Sequence, residues 1–251
     1  KEGRVRHVGF STHGSTDVIV DGINDGRFSY VNLHWYYIFQ RNWPAIEAAT
    51  KQDMGVFIIS PSDKGGKLYA PPQKLTDLCA PLPPIIFNDL FCLQQSKVHT
   101  LSVGAARPTD FDLHVQSLDY FDRADEVLKP IIAKLSAAMK EAVGVSHPED
   151  MSAGLPEHDA TPGGMNLPIM IWLRNLTLGW DMGDYAKMRY NLLGNGGHWF
   201  PGQNASKLEE VDEAKVLAVA GKSPAGKRVV ELIREAHDLL GGAEVKRLSA
   251  S

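Results

Sequence analysis

Two histidines and a lysine-bearing glycine loop are the residues best suited to chemistry. His13 and His34 each follow closely on a short apolar run, and Ser60-Pro61-Ser62-Asp63-Lys64-Gly65-Gly66-Lys67-Leu68 follows a third, Gly55 to Ile59. Imidazoles are apt metal ligands, though a strand-end histidine is more commonly a satisfied polar residue. Adjacent glycines expose backbone N–H groups and two lysines add positive charge, which suits a phosphate-bearing ligand. A flexible, solvated loop is the plainer reading of the same residues. A further polar segment, Gly104-Ala105-Ala106-Arg107, closes the run Val98 to Val103.

These positions matter if the runs are strands. His7 to Ser11, Phe28 to His34, Gly55 to Ile59 and Val98 to Val103 read as strands, with helices at Thr16 to Gly26, Trp43 to Lys51 and Ile85 to Leu93. Thr109 and Asp112 resemble a capping signal for a fourth helix. The third run is continuously apolar, as a strand covered on both faces should be. Four strand–helix alternations predict a parallel sheet, in which ligands collect at the C-terminal strand ends. Ser11, Thr12, His13, Asn32, His34, Ser60 to Gly66 and Gly104 to Arg107 fall there. A closed (β/α)8 barrel needs eight such units, typically about 250 residues, and none follows residue 124. The expected fold is α/β, half of a (β/α)8 TIM barrel over 1–124, followed by a helical extension over 125–251.

In the extension, Asp125 to Val143 reads as helical, with Pro130 able to start a new helix, and residues 144–166 read as an irregular arm. Leu167 to Trp180 is apolar but carries Arg174 and is too short to span a membrane. Asp181 is expected to cap a helix ending at Gly194, and Ser206-Lys207-Leu208-Glu209 to form a capping box. Ser223-Pro224 is expected to open a helix that stops at Gly241-Gly242, with Val229, Ile233, Ala236 and Leu240 on one face. Gly221 to Arg228 approaches a P-loop, but Arg228 replaces the magnesium-binding Ser/Thr and the segment before it is helical, so it marks a helix boundary. His198-Trp199-Phe200-Pro201-Gly202 reads as a packing plug rather than a substrate lid. The sequons at Asn175 and Asn204 are taken as chance.

The composition bounds the possibilities. The chain has 251 residues, 43% of them hydrophobic, with 26 Lys+Arg against 30 Asp+Glu. That is ample for a buried core and excludes a disordered chain. A net charge of −4 gives no electrostatic basis for nucleic-acid or anionic-membrane binding. Cys79 and Cys92 are too few for a disulfide framework or a four-cysteine metal site and read as reduced thiols, one in a Pro-rich loop and one on a helix. With no signal-like start, the chain is expected to be cytoplasmic. It opens on Lys1 almost directly before a strand, from which missing upstream sequence is expected.

Several segments in order, Gly9-Phe10-Ser11-Thr12-His13, Tyr30-Val31-Asn32-Leu33-His34-Trp35-Tyr36, Ile59-Ser60-Pro61 with Gly66-Lys67-Leu68, and Val103-Gly104-Ala105, together resemble the fifth to eighth strands of the aldo-keto reductases. The resemblance covers roughly residues 4 to 122. Tyr185 to Leu193 and Gly197 to Gly202 resemble the C-terminal extension of a bacterial aldo-keto reductase-like subgroup. Some of its members carry an iron–sulfur segment there; residues 93–251 contain no cysteine to hold a cluster.

The resemblance implies the C-terminal half of an NAD(P)(H)-dependent barrel reductase acting on a small carbonyl or alcohol substrate. It places Ser11, Thr12 and Asn32 at the nicotinamide carboxamide. Ser60, Pro61, Lys64 and Gly65 fall over the pyrophosphate, and Gly104, Ala105 and Arg107 at the adenosine and any 2′-phosphate. The sequence departs from the family where Ile59 replaces a Tyr that stacks on the nicotinamide. Gly104, Ala105 and Asp110 replace a Lys-Ser and Arg clamp, and Leu113 and His114 replace a Glu-Asn pair. NADP and NAD both remain open. The family's catalytic Asp, Tyr, Lys and His belong to the first four strands, so no catalytic residue is assigned here and this chain alone is expected to be inactive. Two rival readings are a non-catalytic half-barrel that binds nucleotide or dimerises, and a metal-dependent hydrolase using His13, His34 and Asp110 as ligands.

Overall fold

The structure, a computed structural model, describes residues 3–195 and 199–242. It divides into two compact units, 1–134 and 135–251, with the boundary inside one long helix.

The first unit is α/β. Its elements run β1 (Gly9–Ser11), α1 (Thr16–Asn24), β2 (Tyr30–Leu33), α2 (Trp43–Lys51), β3 (Gly55–Ile59), α3 (Gln73–Cys79), α4 (Pro84–Leu93), β4 (Thr100–Ser102) and α5 (Asp112–Gln116), and α6 (Ala124–Val143) begins within it. All strand pairs are parallel, and the sheet order is β1-β2-β3-β4. Parallel neighbours joined by right-handed crossovers place successive helices on the same side of the sheet.

Burial shows that sidedness. Val31, Leu33, Val56 and Ile58 are buried, whereas Tyr30, Asn32, Phe57 and Ile59 alternate with them and stay half-exposed. The expectation that β3 is covered on both faces is therefore corrected: its apolar run is continuous, but only Val56 and Ile58 are buried. On the open face Phe57 stacks on Tyr30 across β2–β3, with ring centroids 5.1 Å apart.

The strands are shorter than their apolar runs suggest. Val8 precedes β1 and is exposed, and Val98 and Val103 flank β4 without entering it. The Pro-rich stretch hides α3, whose last residue is Cys79, so that thiol sits on a helix rather than in a loop. Burial pushes the Cys79 thiol up to about 12 and raises that of Cys92 as well, which leaves both inert. Thr109 is not the cap before α5. The reciprocal box joins Arg107 to Asp110 around a short 3-10 turn, Pro108–Phe111, which feeds directly into α5. Pro130 starts no new helix, because α6 runs through it unbroken.

The second unit is helical: the end of α6, then α7 (Leu167–Trp180), α8 (Gly183–Asn191), α9 (Glu213–Ala220) and α10 (Val229–Leu240). Residues 144–166 form three separate 3-10 turns. α7 is buried almost throughout, including Trp172 and Trp180, and Asn175 is inaccessible to glycosylation. Buried Arg174 pairs with Glu235 at 2.7 Å and with Asn175 at 2.8 Å, as an enclosed guanidinium requires.

Three capping expectations fail here. Asp181 takes a left-handed conformation that ends α7, and α8 ends at Asn191. Asn204, not Ser206, caps a 3-10 turn at Ala205–Glu210. A 3-10 turn at Gly226–Arg228 separates Ser223-Pro224 from α10. The expected α10 face holds, with Val229, Ile233, Ala236 and Leu240 all fully buried. The segment before Gly221 is helical, as expected. Trp199 and Phe200 stack at 4.1 Å and Phe200 meets Trp172 edge-on at 5.5 Å, so within this unit both are core. His198 lies outside the described residues. Among the described residues no helix is long and apolar enough to cross a membrane.

Candidate functional site

The C-terminal strand ends of the first unit hold two histidine clusters joined by one loop. Parallel register pairs Ser11 with Asn32, and both lie on the open face, with Asn32 next to Phe57 on β3. Thr12 turns the chain out of β1 by accepting the Gly14 N–H at 3.0 Å.

The loop that follows β3 is anything but a solvated flap. Ser60 and Lys67 both adopt left-handed backbone, and Pro61, Ser62, Gly65 and Gly66 are buried. Backbone bonds from Lys64 to Ser60, Gly66 and Lys67 to Asp63, and Leu68 to Ser62 wind it into consecutive turns. The Gly66 N–H expected to face a phosphate is thus committed to Asp63. Gly65 is required sterically, since a Cβ there would sit 1.9 Å from the Pro61 carbonyl oxygen. Asn88 of α4 donates to that carbonyl at 3.2 Å and accepts the Tyr37 N–H at 3.2 Å, tying this loop to the one after β2.

The first cluster sits over β1 and β2. The Lys64 ammonium lies 3.2 Å from His13 Nε2 and 3.2 Å from His34 Nε2, and the two rings are 5.3 Å apart. His34 Nδ1 is 2.7 Å from the Tyr36 hydroxyl, which donates to the Ile59 carbonyl. Because that hydroxyl proton is spent, His34 carries its hydrogen on Nδ1 and its Nε2 accepts from Lys64. Asn42 donates to the His34 carbonyl at 2.9 Å, and Thr16 donates to Asn42 at 2.9 Å, which holds this segment against α1 and α2. His13 is exposed, and partial burial together with the Lys64 charge lowers its pKa.

The second cluster lies over the other half of the sheet. His114 of α5 bonds through Nδ1 to Asp89 of α4, which is 2% exposed. His114 Nε2 is 3.3 Å from Ser62 Oγ and 2.9 Å from the Tyr69 hydroxyl oxygen, whose own proton goes to the Gly104 carbonyl at 3.0 Å. Burial raises the Asp89 pKa against the opposing pull of His114. The order Ser62–His114–Asp89 is that of a nucleophilic triad, but Ser62 is 3% exposed and closed to a substrate. Sequence reasoning missed this cluster because its members are up to 52 residues apart.

Beside Tyr69 opens a cavity of about 540 Å³ whose lining includes Leu68, Pro71, Leu82, Arg107 and Leu113. Gly104 and Ala105, just past β4, are exposed. The Arg107 side chain is 75% exposed, yet its guanidinium is paired with Asp110 at 2.9 Å. Asp110 also accepts the Arg107 and Ala106 N–H groups at 3.0 and 2.9 Å, and these bonds hold its carboxyl below the usual range. Asp110 is thus bound to its own turn, and among the described residues no three His, Cys, Asp or Glu side chains group as a metal-ligand set. No family model matches the chain, and no curated protein or solved structure matches it either.

Proposed function

We propose that the first unit is the dinucleotide-holding part of an aldo-keto reductase-like oxidoreductase, with the strand-end face receiving NAD(P)(H). The observation that carries this reading is the one-sided sheet: four parallel strands in sequential order, helix-covered on one face and half-exposed on the other. A doubly wound sheet would cover both faces and reverse its strand order. A sector of a (β/α)8 barrel has this order, and its open face is the barrel interior.

The residues present fit the group. Ser11 and Asn32, side by side on the open face, offer a hydroxyl and an amide to a carboxamide, and Thr12 continues that edge. Half-buried Ser60 and Lys64 form a preshaped rim beyond them for the pyrophosphate, supported from beneath by buried Pro61 and Gly65, and left-handed Ser60 holds the strain that such rims store. Arg107 lines a cavity of about 540 Å³, within the usual size of small-molecule sites, and Gly104 and Ala105 are exposed just past β4. When bound there, a nicotinamide cofactor would supply or take up a hydride at a small carbonyl or alcohol carbon. This chain's residues would orient it and exclude water. Ile59 presents an aliphatic face where the family stacks a tyrosine, and His114 is occupied by Asp89 rather than turned to an adenine. Arg107, shared with Asp110, admits both NADP and NAD.

Titration of NADPH and NADH into the protein, followed by reduced-nicotinamide fluorescence, tests this. Saturable binding is expected, weakened roughly 10-fold or more by Ser11→Ala with Asn32→Ala, at about 1 kcal/mol per hydrogen bond. Absence of saturable binding by either nucleotide at millimolar concentration would overturn it.

A further inference from the structure

We infer that Lys64 is a carbonyl-capturing amine, holding a small aldehyde or ketone as an imine on Nζ with His13 and His34 as its proton carriers. The inference stands on the first cluster alone and does not depend on the dinucleotide reading. A lysine can act as a nucleophile only after a base takes its proton, and carbinolamine breakdown needs an acid to expel water. Both partners are in place, since two imidazole Nε2 atoms lie 3.2 Å from Nζ.

They are held differently. His34 is buried, and the chain through Tyr36 to the Ile59 carbonyl favours the tautomer whose Nε2 lone pair faces the amine. His13 is exposed, so its ring can pass a proton between the amine and water. Lys64 itself is half-buried at the strand ends, where a small carbonyl compound can approach.

The step balances without an oxidant or reductant. An imidazole takes one proton from the Lys64 ammonium, and the freed lone pair attacks the carbonyl carbon while the C=O π electrons move to oxygen. A proton passes from nitrogen to that oxygen to give the carbinolamine. The imidazolium then returns its proton to the hydroxyl, which leaves as water as the C=N bond forms. The net change is ammonium plus carbonyl to iminium plus water, with one positive charge and one N–H kept at nitrogen to face an imidazole.

Propionaldehyde with cyanoborohydride, which reduces an iminium to a stable secondary amine, provides the test when read by peptide mass mapping at short times. Exposed Lys140 and Lys187 serve as internal references on the same molecule. Lys64 is expected to alkylate roughly 100-fold faster than either, the lower edge of general acid–base assistance. His13→Gln should slow Lys64 several-fold and leave Lys140 unchanged. Lys64 reacting no faster than the references would overturn the inference, and an unchanged Lys64 rate in His13→Gln would overturn the proton-carrier role of His13. Dinucleotide titration is read separately, so failure of that reading leaves this result intact.

Discussion

The two histidine clusters grow from one loop and have opposite access. Lys64 turns to His13 and His34 over β1 and β2, where an exposed ring and a half-buried amine meet solvent. Ser62 and Tyr69, a few residues either side, turn to His114, whose other nitrogen is fastened to a buried carboxyl. The first arrangement can exchange protons with a ligand. The second is a latch that joins α4, α5 and the loop. Hydrogen-bond chains of the same residue types thus serve chemistry or structure according to whether the terminal group can be reached.

The comparison breaks most completely in the loop both clusters share. Gly65→Ala drives a methyl group into the Pro61 carbonyl, so the loop must rearrange at a cost of about 2–4 kcal/mol. Chemical denaturation should show that loss, together with weaker nucleotide binding.

Asp89→Asn attacks the latch alone and is expected to cost about 1–3 kcal/mol, as for a weakened buried hydrogen bond. It also has a pH signature. Burial raises the Asp89 pKa in the folded state, so the native protein holds that proton more tightly than the unfolded chain. The associated stability is present below the ordinary Asp range and is lost as pH rises through the raised value. The gap between wild type and Asp89→Asn should therefore be widest in acid and narrow as pH rises, measured as melting temperature against pH.

The smallest effect falls on the accessible cluster. The His13 pKa is lowered from 6.5, so the unfolded chain binds that proton more readily, and stability declines as pH falls from 6.5 towards the lowered value. His13→Asn should remove this slight acid-side slope and leave the neutral-pH melting temperature nearly unchanged. A large loss at neutral pH would show that His13, too, is a structural group.

The sequence made the regular elements legible where local signals agreed. β3 at Gly55–Ile59 stands where its continuous apolar run puts it, and α2 spans Trp43–Lys51 as expected. α3 was obscured because its N-cap is Pro72 and prolines follow its end, so breakers bracket a helix of only 7 residues. Asp181 and Ser206 carry cap-forming side chains, but the first was needed to stop α7 and the second lost its place to Asn204, choices that depend on where neighbouring helices end. At the site, His13, His34 and the glycine loop were visible as strand-end polar groups. That Lys64 bridges the two rings depends on how the loop winds, and the Asp89–His114 latch depends on α4 and α5 packing. No residue spacing encodes either contact.

The most direct test of the central claim is a backbone amide NMR map of the labelled protein on addition of NADPH. The account predicts shifts concentrated at Ser11 to His13, Asn32, residues 60–66 and residues 104–107, with the second unit nearly silent. Shifts confined to residues 135–242, or none at saturating nucleotide, would contradict it.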